Sequence, residues 1–454
     1  MNSIMQNNVR NNAIEKIGEK FIQRFKLNRI MKSCGLVKKC GVSAYTVFTL
    51  ILGLVFTRKN WYRLHDGEGC NIGFGKDAVY RMMSNPSINW ESLLCKTAIT
   101  VIPEIKYLTG DDRRCALIVD DTTLYRDRSK KVEYLSRCYD HNEQRYYNGF
   151  TVLAMGWSDG QTLIPVDMRV VASSDDKLLL EGSHVAQDGR TIATKRRVQA
   201  RTDKPTLVLD MLKNVKGTPA ECQYVLFDSW FASPKSLVNI KELGYDAVAR
   251  LKKDNVRYNY NGQMMSVKQI FSANRKRRGK SKYLLSVCVT IERDGSQIPA
   301  KLVFVRNKNK RKDWIVLIST DISLTEEDII ALYGKRWGIE TFFQVCKSNL
   351  RMEKEFQSRS FDAVAAHVAI VFIRYIMLSL ESRENIDERS VCAIFHAICD
   401  ELPDITLADA LQLLLQLLDD QLRQFQNDTG FSFESFRKQF IASLPEFIRD
   451  RLVA

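Results

Sequence analysis

No C-x-x-C pair occurs among the 11 cysteines of this 454-residue chain, which lie singly from Cys34 to Cys399. That spacing excludes a zinc ribbon or a dithiol redox motif and leaves reduced thiols as the economical expectation. The first residues, Met-Asn-Ser-Ile-Met-Gln-Asn-Asn, lack the basic-then-apolar pattern of a secreted protein, so a cytoplasmic location is expected. Long apolar runs are missing too. Val42 to Phe56 is short and carries Ser and Thr, and Ala363 to Ile373 stops at Arg374, so both are expected to be buried helices rather than membrane spans. There is no internal repeat and no long low-complexity tract. Acidic residues are outnumbered, 53 against 68 Lys and Arg, giving a net charge of +15. Such an excess favours a polyanionic partner, nucleic acid before an anionic membrane surface.

The length calls for a core domain with appendages. Residues 1–108 read as helical, with apolar positions at helical spacing over Asn12 to Ser33 and Ser43 to Phe56, and a third helix opening at Gly75-Lys76-Asp77. Lys38, Lys39, Arg58, Lys59, Arg63, Lys76 and Arg81 fall at helix starts and turns, which suits a DNA-reading region as well as a basic helical bundle. In 109–251 the texture changes. Ala116 to Val119 is a short apolar run typical of a strand buried on both faces. Strands over Gly149 to Trp157 and Thr162 to Val171 follow, separated by Ser158-Asp159-Gly160. A helix over Pro205 to Val215, a strand over Tyr224 to Phe227, a helix over Pro234 to Leu243 and a strand over Ala247 to Leu251 complete this part. A three-strand meander followed by alternating helix and strand is the order of an α/β, RNase H-like core. Residues 252–321 interrupt it with β-type segments and two basic runs, Arg275 to Arg278 and Arg306 to Lys312, a solvated or DNA-gripping insertion. The core is expected to resume over 322–380. A helical C-terminal region, 381–454, follows and includes the leucine-rich Leu407 to Leu422.

Asp120 and Asp121 end one buried strand and Asp228 ends another. Carboxylates at the ends of adjacent core strands converge on one edge of a sheet, although a single strand-terminating Asp is commonly a turn former or helix cap. Like charges brought together call for a compensating cation, and hard Mg²⁺ ions are the usual solution where phosphoryl groups are transferred. Further on, Tyr333, Arg336, Glu340 and Lys347 follow Y-x(2)-R-x(3)-E-x(6)-K. On a 3.6-residue period these offsets return to nearly one face, so one helix is expected to carry a carboxylate, a phenol and two cations along a ridge. A salt-bridge ladder has the same pattern. A Glu between an Arg and a Lys also suits metal ligation beside phosphate oxygens.

Together, the Tyr-Arg-Glu-Lys helix, Asp120-Asp121-Thr122 and the Asp228-Ser229-Trp230-Phe231-Ala232 segment resemble the signatures of IS4-type DDE transposases, over roughly Leu117 to Ile376. The resemblance implies an RNase H-like catalytic core with a β-rich insertion. It also implies two Mg²⁺ (or Mn²⁺) ions per site, cleavage at the ends of an insertion sequence and transfer of the strand into target DNA. Transposon-end DNA with terminal inverted repeats, target DNA and a homodimeric synaptic complex are the implied partners, in a bacterial cytoplasm on nucleoid DNA. Asp228 and Glu340 match the second and third catalytic, metal-binding carboxylates. Asp120 is preferred for the first because it directly follows the apolar run; Asp121 satisfies the same Asp-x-Thr pattern and is the alternative. Tyr333, Arg336 and Lys347 would bind DNA phosphates. Trp314 would either stack an extruded base or simply pack in the insertion. The rival readings are a DNA-binding protein derived from a transposase, an RNase H-like nuclease without strand transfer, and a two-carboxylate glycosidase, in which the cationic helix has no clear purpose.

Overall fold

The computed structural model describes residues 18–37, 40–65, 74–110, 113–141, 143–184, 190–278, 281–307, 313–384, 390–400, the helical positions 412, 414 and 416–418, and 433–443. Leu407 to Leu422 lies largely outside these residues, as do Lys38, Lys39 and most of the basic run Arg306 to Lys312.

The described opening region is helical, with a helical stretch over 18–24 followed by α1 (Leu27–Ser33), α2 (Ala44–Leu54), α3 (Trp61–His65), α4 (Asp77–Met83) and α5 (Trp90–Tyr107). The expected helix over Asn12 to Ser33 is interrupted where Lys26 takes φ 51° before α1 begins. Ser43 caps α2 by accepting from the Thr46 N–H, and Asn89 caps α5 by accepting from the Ser92 N–H. The strands β1 (Ala116–Tyr125), β2 (Ser136–Asp140), β3 (Arg145–Ser158) and β4 (Leu163–Val171) follow. Helices α6 (Ile192–Ala200) and α7 (Lys204–Val215) precede β5 (Tyr224–Phe227), α8 (Pro234–Glu242) and β6 (Asp246–Leu251). Pro at the first turn and an Asp203 or Ser233 cap start α7 and α8 cleanly.

The result is a mixed α/β architecture around one eleven-stranded sheet, ordered β2-β3-β1-β5-β6-β11-β10-β9-β7-β8, with β4 also on β3. β1, β5 and β6 are parallel neighbours, and the other pairings are antiparallel. Every residue of β5 and the first four of β1 are buried, as an apolar central strand requires. Close approach of β3 to β1 explains Gly149, where a Cβ would lie 2.1 Å from the Leu124 carbonyl oxygen.

The segment 252–321 extends this sheet instead of standing apart from it. Its strands β7 (Arg257–Tyr260), β8 (Gln263–Ser266), β9 (Tyr283–Arg293), β10 (Ser296–Arg306) and β11 (Trp314–Ser319) join the core where β11 pairs antiparallel with β6. The sequence pattern hides a short helix there, α9 (Val267–Ala273), started by a Ser266–Gln269 capping box. Helices α10 (Glu326–Gly334), α11 (Trp337–Ser348) and α12 (Phe361–Glu384) then return to the core.

α12 is the buried helix expected over the Ala363 to Ile373 run, but it does not stop where the run does. The helix continues through Arg374, and Phe361–Arg383 is long and apolar enough to cross a membrane by length and composition, yet its most apolar stretch is wholly buried inside the fold. Arg374 is fully buried and pairs through both terminal nitrogens with buried Glu355, one contact being 3.0 Å. Its Nε donates to the Leu52 carbonyl at 3.1 Å and its Nη2 to that of Ile51, so it caps the end of α2. α5 packs on both β4 and α12, and the opening helices share one continuous hydrophobic core with the sheet.

Candidate active site

Sheet register builds the site. Val119 of β1, Phe227 of β5 and Ala249 of β6 lie side by side. The next residues along the three parallel strands are Asp120, Asp228 and Arg250, which sets two carboxylates and a cation in a row at the carboxyl edge. β5 stops opposite Val119, so Asp120 to Tyr125 are paired on one edge only, with β3. Side chains of α11 and its cap reach this stretch. Arg336 Nη1 donates to Asp120 Oδ2 at 3.1 Å, Arg336 Nη2 donates to Glu340 Oε1, and Lys347 Nζ donates to Thr123 Oγ1 at 2.7 Å.

The expected single helix through Tyr333, Arg336, Glu340 and Lys347 is two helices. The Lys335 and Arg336 N–H groups donate to carbonyls three residues back, as do those of Gly338 and Ile339, which tightens the joint into a 3₁₀-like turn. Gly334 and Gly338 flank it and weaken helix propensity there. Tyr333 therefore ends α10, Arg336 caps α11, and Glu340 and Lys347 lie on α11. The joint is pinned to the β3–β4 turn, where Lys335 Nζ donates to the Asp159 carbonyl at 3.1 Å. Gly160 is needed beneath it: φ is +97°, and a Cβ would meet Lys335 Cε at 3.0 Å.

The two aspartates diverge. Asp121 Oδ2 accepts from Lys204 Nζ at 2.9 Å, and that ammonium also lies 4.8 Å from the Trp230 ring centroid. Asp120 Oδ1 accepts from the Asp121 N–H, and Asp228 Oδ1 accepts from the Trp230 N–H at 2.8 Å. Burial is the main cause that pushes the Asp120 carboxyl up to about 7; the charges of Asp228 and Asp121 add to it, against the pull of Arg336 and the Asp121 N–H. The same carboxyl titrates near ~3.9 in an unfolded chain. Between roughly pH 4 and 7 the folded state therefore holds the extra proton, and the group's contribution to stability is lost as pH rises through that window. Asp120→Asn should raise the melting temperature of the metal-free protein at about pH 8 and leave it unchanged near pH 4. Equal melting temperatures for variant and wild type at both pH values would contradict the burial of this charge.

Arg336 has one further buried donor, Nε, without a partner among the described residues, and Tyr333 lies under the guanidinium at 5.7 Å, its phenol pushed up by burial. A cleft of about 290 Å³ opens beside Asp228, lined by Ser229, Arg250, Leu251, Lys252, Lys253 and Ile315. Trp314 adjoins it, half-buried, with its ring stacked on Phe271 at 4.5 Å, edge-on to Phe304, and with the Lys253 ammonium 4.2 Å away. Its aromatic partners are those of a packed insertion residue, and among the described residues it makes no contact with Asp120, Asp228 or Glu340.

Sequence reasoning gave no individual role to four residues beside the site, although Trp230 stands in the Asp228 motif. Trp230 and Trp337 are 45% and 66% exposed, unusual for tryptophan. Each directly follows a site motif, Asp228-Ser229 or Arg336, which was the available signal. Lys204 and Arg250 are isolated cations at a helix start and a strand end, and only the register relates them to the aspartates.

Among the described residues, no group of three acidic, histidine or cysteine side chains converges closely enough to hold a metal as placed. The donor chemistry nevertheless fits a hard divalent cation. Asp120, Asp228 and Glu340 are oxygen donors only, and Arg336 holds Asp120 and Glu340 together by positive charge. Compared with known families, residues 62–297, a little over half the chain, match the DDE superfamily endonucleases. The chain belongs to that family, whose nucleases generally use divalent metals. The matched span includes Asp120, Asp121 and Asp228 and ends before Glu340. Comparison with curated proteins finds no match.

Proposed function

We propose that this endonuclease is an IS4-type transposase with an RNase H-like core, cutting the ends of an insertion sequence and joining them to target DNA. The observation that carries the reading is Arg336, which ties Asp120 on β1, next in register to Asp228, to Glu340 on α11. Support for the core comes from the antiparallel run β1-β3-β4 followed by the parallel strands β5 and β6. The β-rich insertion between β6 and α10 and the Tyr333 to Lys347 pattern favour the subtype.

Asp120, Asp228 and Glu340 would hold two Mg²⁺ or Mn²⁺ ions, which, when bound, supply an activated oxygen nucleophile and charge for the departing 3′-oxygen. The chain's own part is positioning. Arg336, with its spare Nε, and Lys347 hold phosphate oxygens in line, Tyr333 supports the guanidinium, and Arg250, Lys252 and Lys253 receive the backbone along the cleft. Asp121 holds Lys204 in place and does not ligate metal. The active form is a homodimer bringing two ends together.

The test is to incubate the protein with a labelled DNA end, taken from the inverted repeats flanking its gene, and a supercoiled plasmid. Labelled end joined to plasmid is expected in Mg²⁺ or Mn²⁺ and not in chelator. Cleavage without joining would reduce the protein to a nuclease; binding without cleavage would make it a DNA-binding derivative. On the same substrate Asp120→Asn should eliminate cleavage. Asp121→Asn should keep measurable activity, because a partly exposed ion pair contributes at most about 1 kcal/mol. The reverse order would move the metal site to Asp121.

A further inference from the structure

The β2–β3 hairpin carries a surface that the active site does not use. Its strands alternate strictly. Ser136, Cys138, Asp140 and Tyr147 turn inward, Tyr147 being buried and Asp140 accepting the Tyr125 hydroxyl proton. Arg137, Tyr139 and Tyr146 turn outward, and the two tyrosines are 43% and 54% exposed. They form a cross-strand pair with centroids 5.1 Å apart, and the Arg137 guanidinium lies 4.8 Å from the Tyr146 ring. Nothing in folding calls for two uncovered phenols and a guanidinium on one strand face.

The surroundings are basic. The β1–β2 connection is tied to the hairpin by the Arg126 N–H donating to the Asn148 carbonyl at 2.7 Å, and it presents exposed Arg128, Lys130 and Lys131. The exposed acids Asp127 and Glu143 are both taken by Arg145, at 3.6 and 2.5 Å. Arg128, Lys130, Lys131 and Arg137 make no ion pair among the described residues. Cations interleaved with open aromatic faces match the chemistry of an unpaired nucleic-acid strand, whose phosphates need charge and whose bases need a stacking partner.

Register places this surface relative to the carboxylates. Asp120 pairs with Ala154, and Tyr146 lies eight residues earlier on the same face of β3. At about 3.3 Å per residue that is roughly 26 Å from Asp120, close to the length of eight stacked nucleotides at ~3.4 Å each.

We propose that the outer face of the β2–β3 hairpin, built on Arg137, Tyr139 and Tyr146, holds single-stranded DNA leading to or from the carboxylate site. This rests on the DNA-cleaving role proposed above. The binding of a short fluorescein-labelled single strand and of its duplex, followed by fluorescence polarisation on the full chain, tests it. Tyr139→Ala/Tyr146→Ala should weaken single-strand binding about tenfold and duplex binding by less than about threefold. Tyr107→Ala, which removes a tyrosine 89% exposed elsewhere, should bind as wild type. Lys130→Ala/Lys131→Ala should lower the salt dependence of single-strand binding by roughly 0.7 in log–log slope per charge. Unchanged single-strand affinity in the tyrosine variant, an equal loss on duplex, or an unchanged salt slope would overturn the proposal. Nicking of duplex DNA by the wild type is scored separately. Nicking with silent tyrosine variants defeats this inference alone, and tyrosine-dependent binding without nicking defeats the catalytic reading alone.

Discussion

Glu340→Gln and Asp228→Asn should each reduce DNA cleavage by at least a thousandfold while changing the affinity for end DNA by less than about threefold. A thousandfold corresponds to about 4 kcal/mol of transition-state stabilisation, the scale on which a catalytic cation acts. Both substitutions preserve shape and hydrogen-bonding capacity and remove only the charge that holds a cation. Glu340 is partly exposed and pairs with Arg336 one helical turn away, so folding does not depend on it. Affinity is expected to persist because phosphate contacts supply it, and the surrounding cations Arg250, Lys252, Lys253, Arg336 and Lys347 remain. Gel-shift and cleavage assays on one labelled end give both quantities. Cleavage within tenfold of wild type by either variant would remove that carboxylate from the chemistry, and a parallel collapse of binding would point to misfolding instead.

The largest stability effect is expected far from the site. Arg374→Leu should destabilise the protein by about 3–5 kcal/mol, because it leaves the buried Glu355 carboxylate facing only His367, 3.4 Å away, whose protonation burial opposes. The carbonyls of Ile51 and Leu52 would lose a donor at the same time. Arg374→Leu/Glu355→Leu should recover much of the loss, since an apolar pair of similar volume removes the uncompensated charge. Denaturant unfolding of the three proteins measures this. An Arg374→Leu variant as stable as wild type would mean that α2 and α12 are not coupled through this pair. Because the coupling joins the opening helices to the core, truncation before α5 should not yield a folded catalytic fragment.

Strands were legible wherever burial on both faces wrote a continuous apolar run. Tyr224–Phe227 and the start of β1 could be read directly, and so could Asp228 just beyond the end of β5; Asp120 and Asp121, expected to end their strand, lie inside β1, which runs on to Tyr125 because β3 still pairs with it there. The choice between Asp120 and Asp121 was not legible, because both faces of β1 are apolar up to that point; it depends on Arg336 and Lys204, which arrive from 216 and 83 residues away. The break at Lys335 and Arg336 was hidden for a different reason. Both residues keep right-handed helical dihedrals, and only the hydrogen-bond offset changes. Ser136–Asp140 carries too mixed a pattern to announce itself as a strand. Arg374 looked like the end of an apolar run, but it is a buried charge whose partner lies in another segment. The pairing of β11 with β6, which makes the insertion part of the main sheet, is a long-range contact that no local periodicity encodes.

Asp120, Asp228 and Glu340 are proposed to form one divalent-cation site. Mn²⁺ titration followed by electron paramagnetic resonance tests it most directly, using wild type, Asp120→Asn, Asp121→Asn and Glu340→Gln. Saturable Mn²⁺ binding is expected in wild type and Asp121→Asn, weakened at least tenfold in Asp120→Asn and in Glu340→Gln. Equal Mn²⁺ affinity in all four proteins would contradict it.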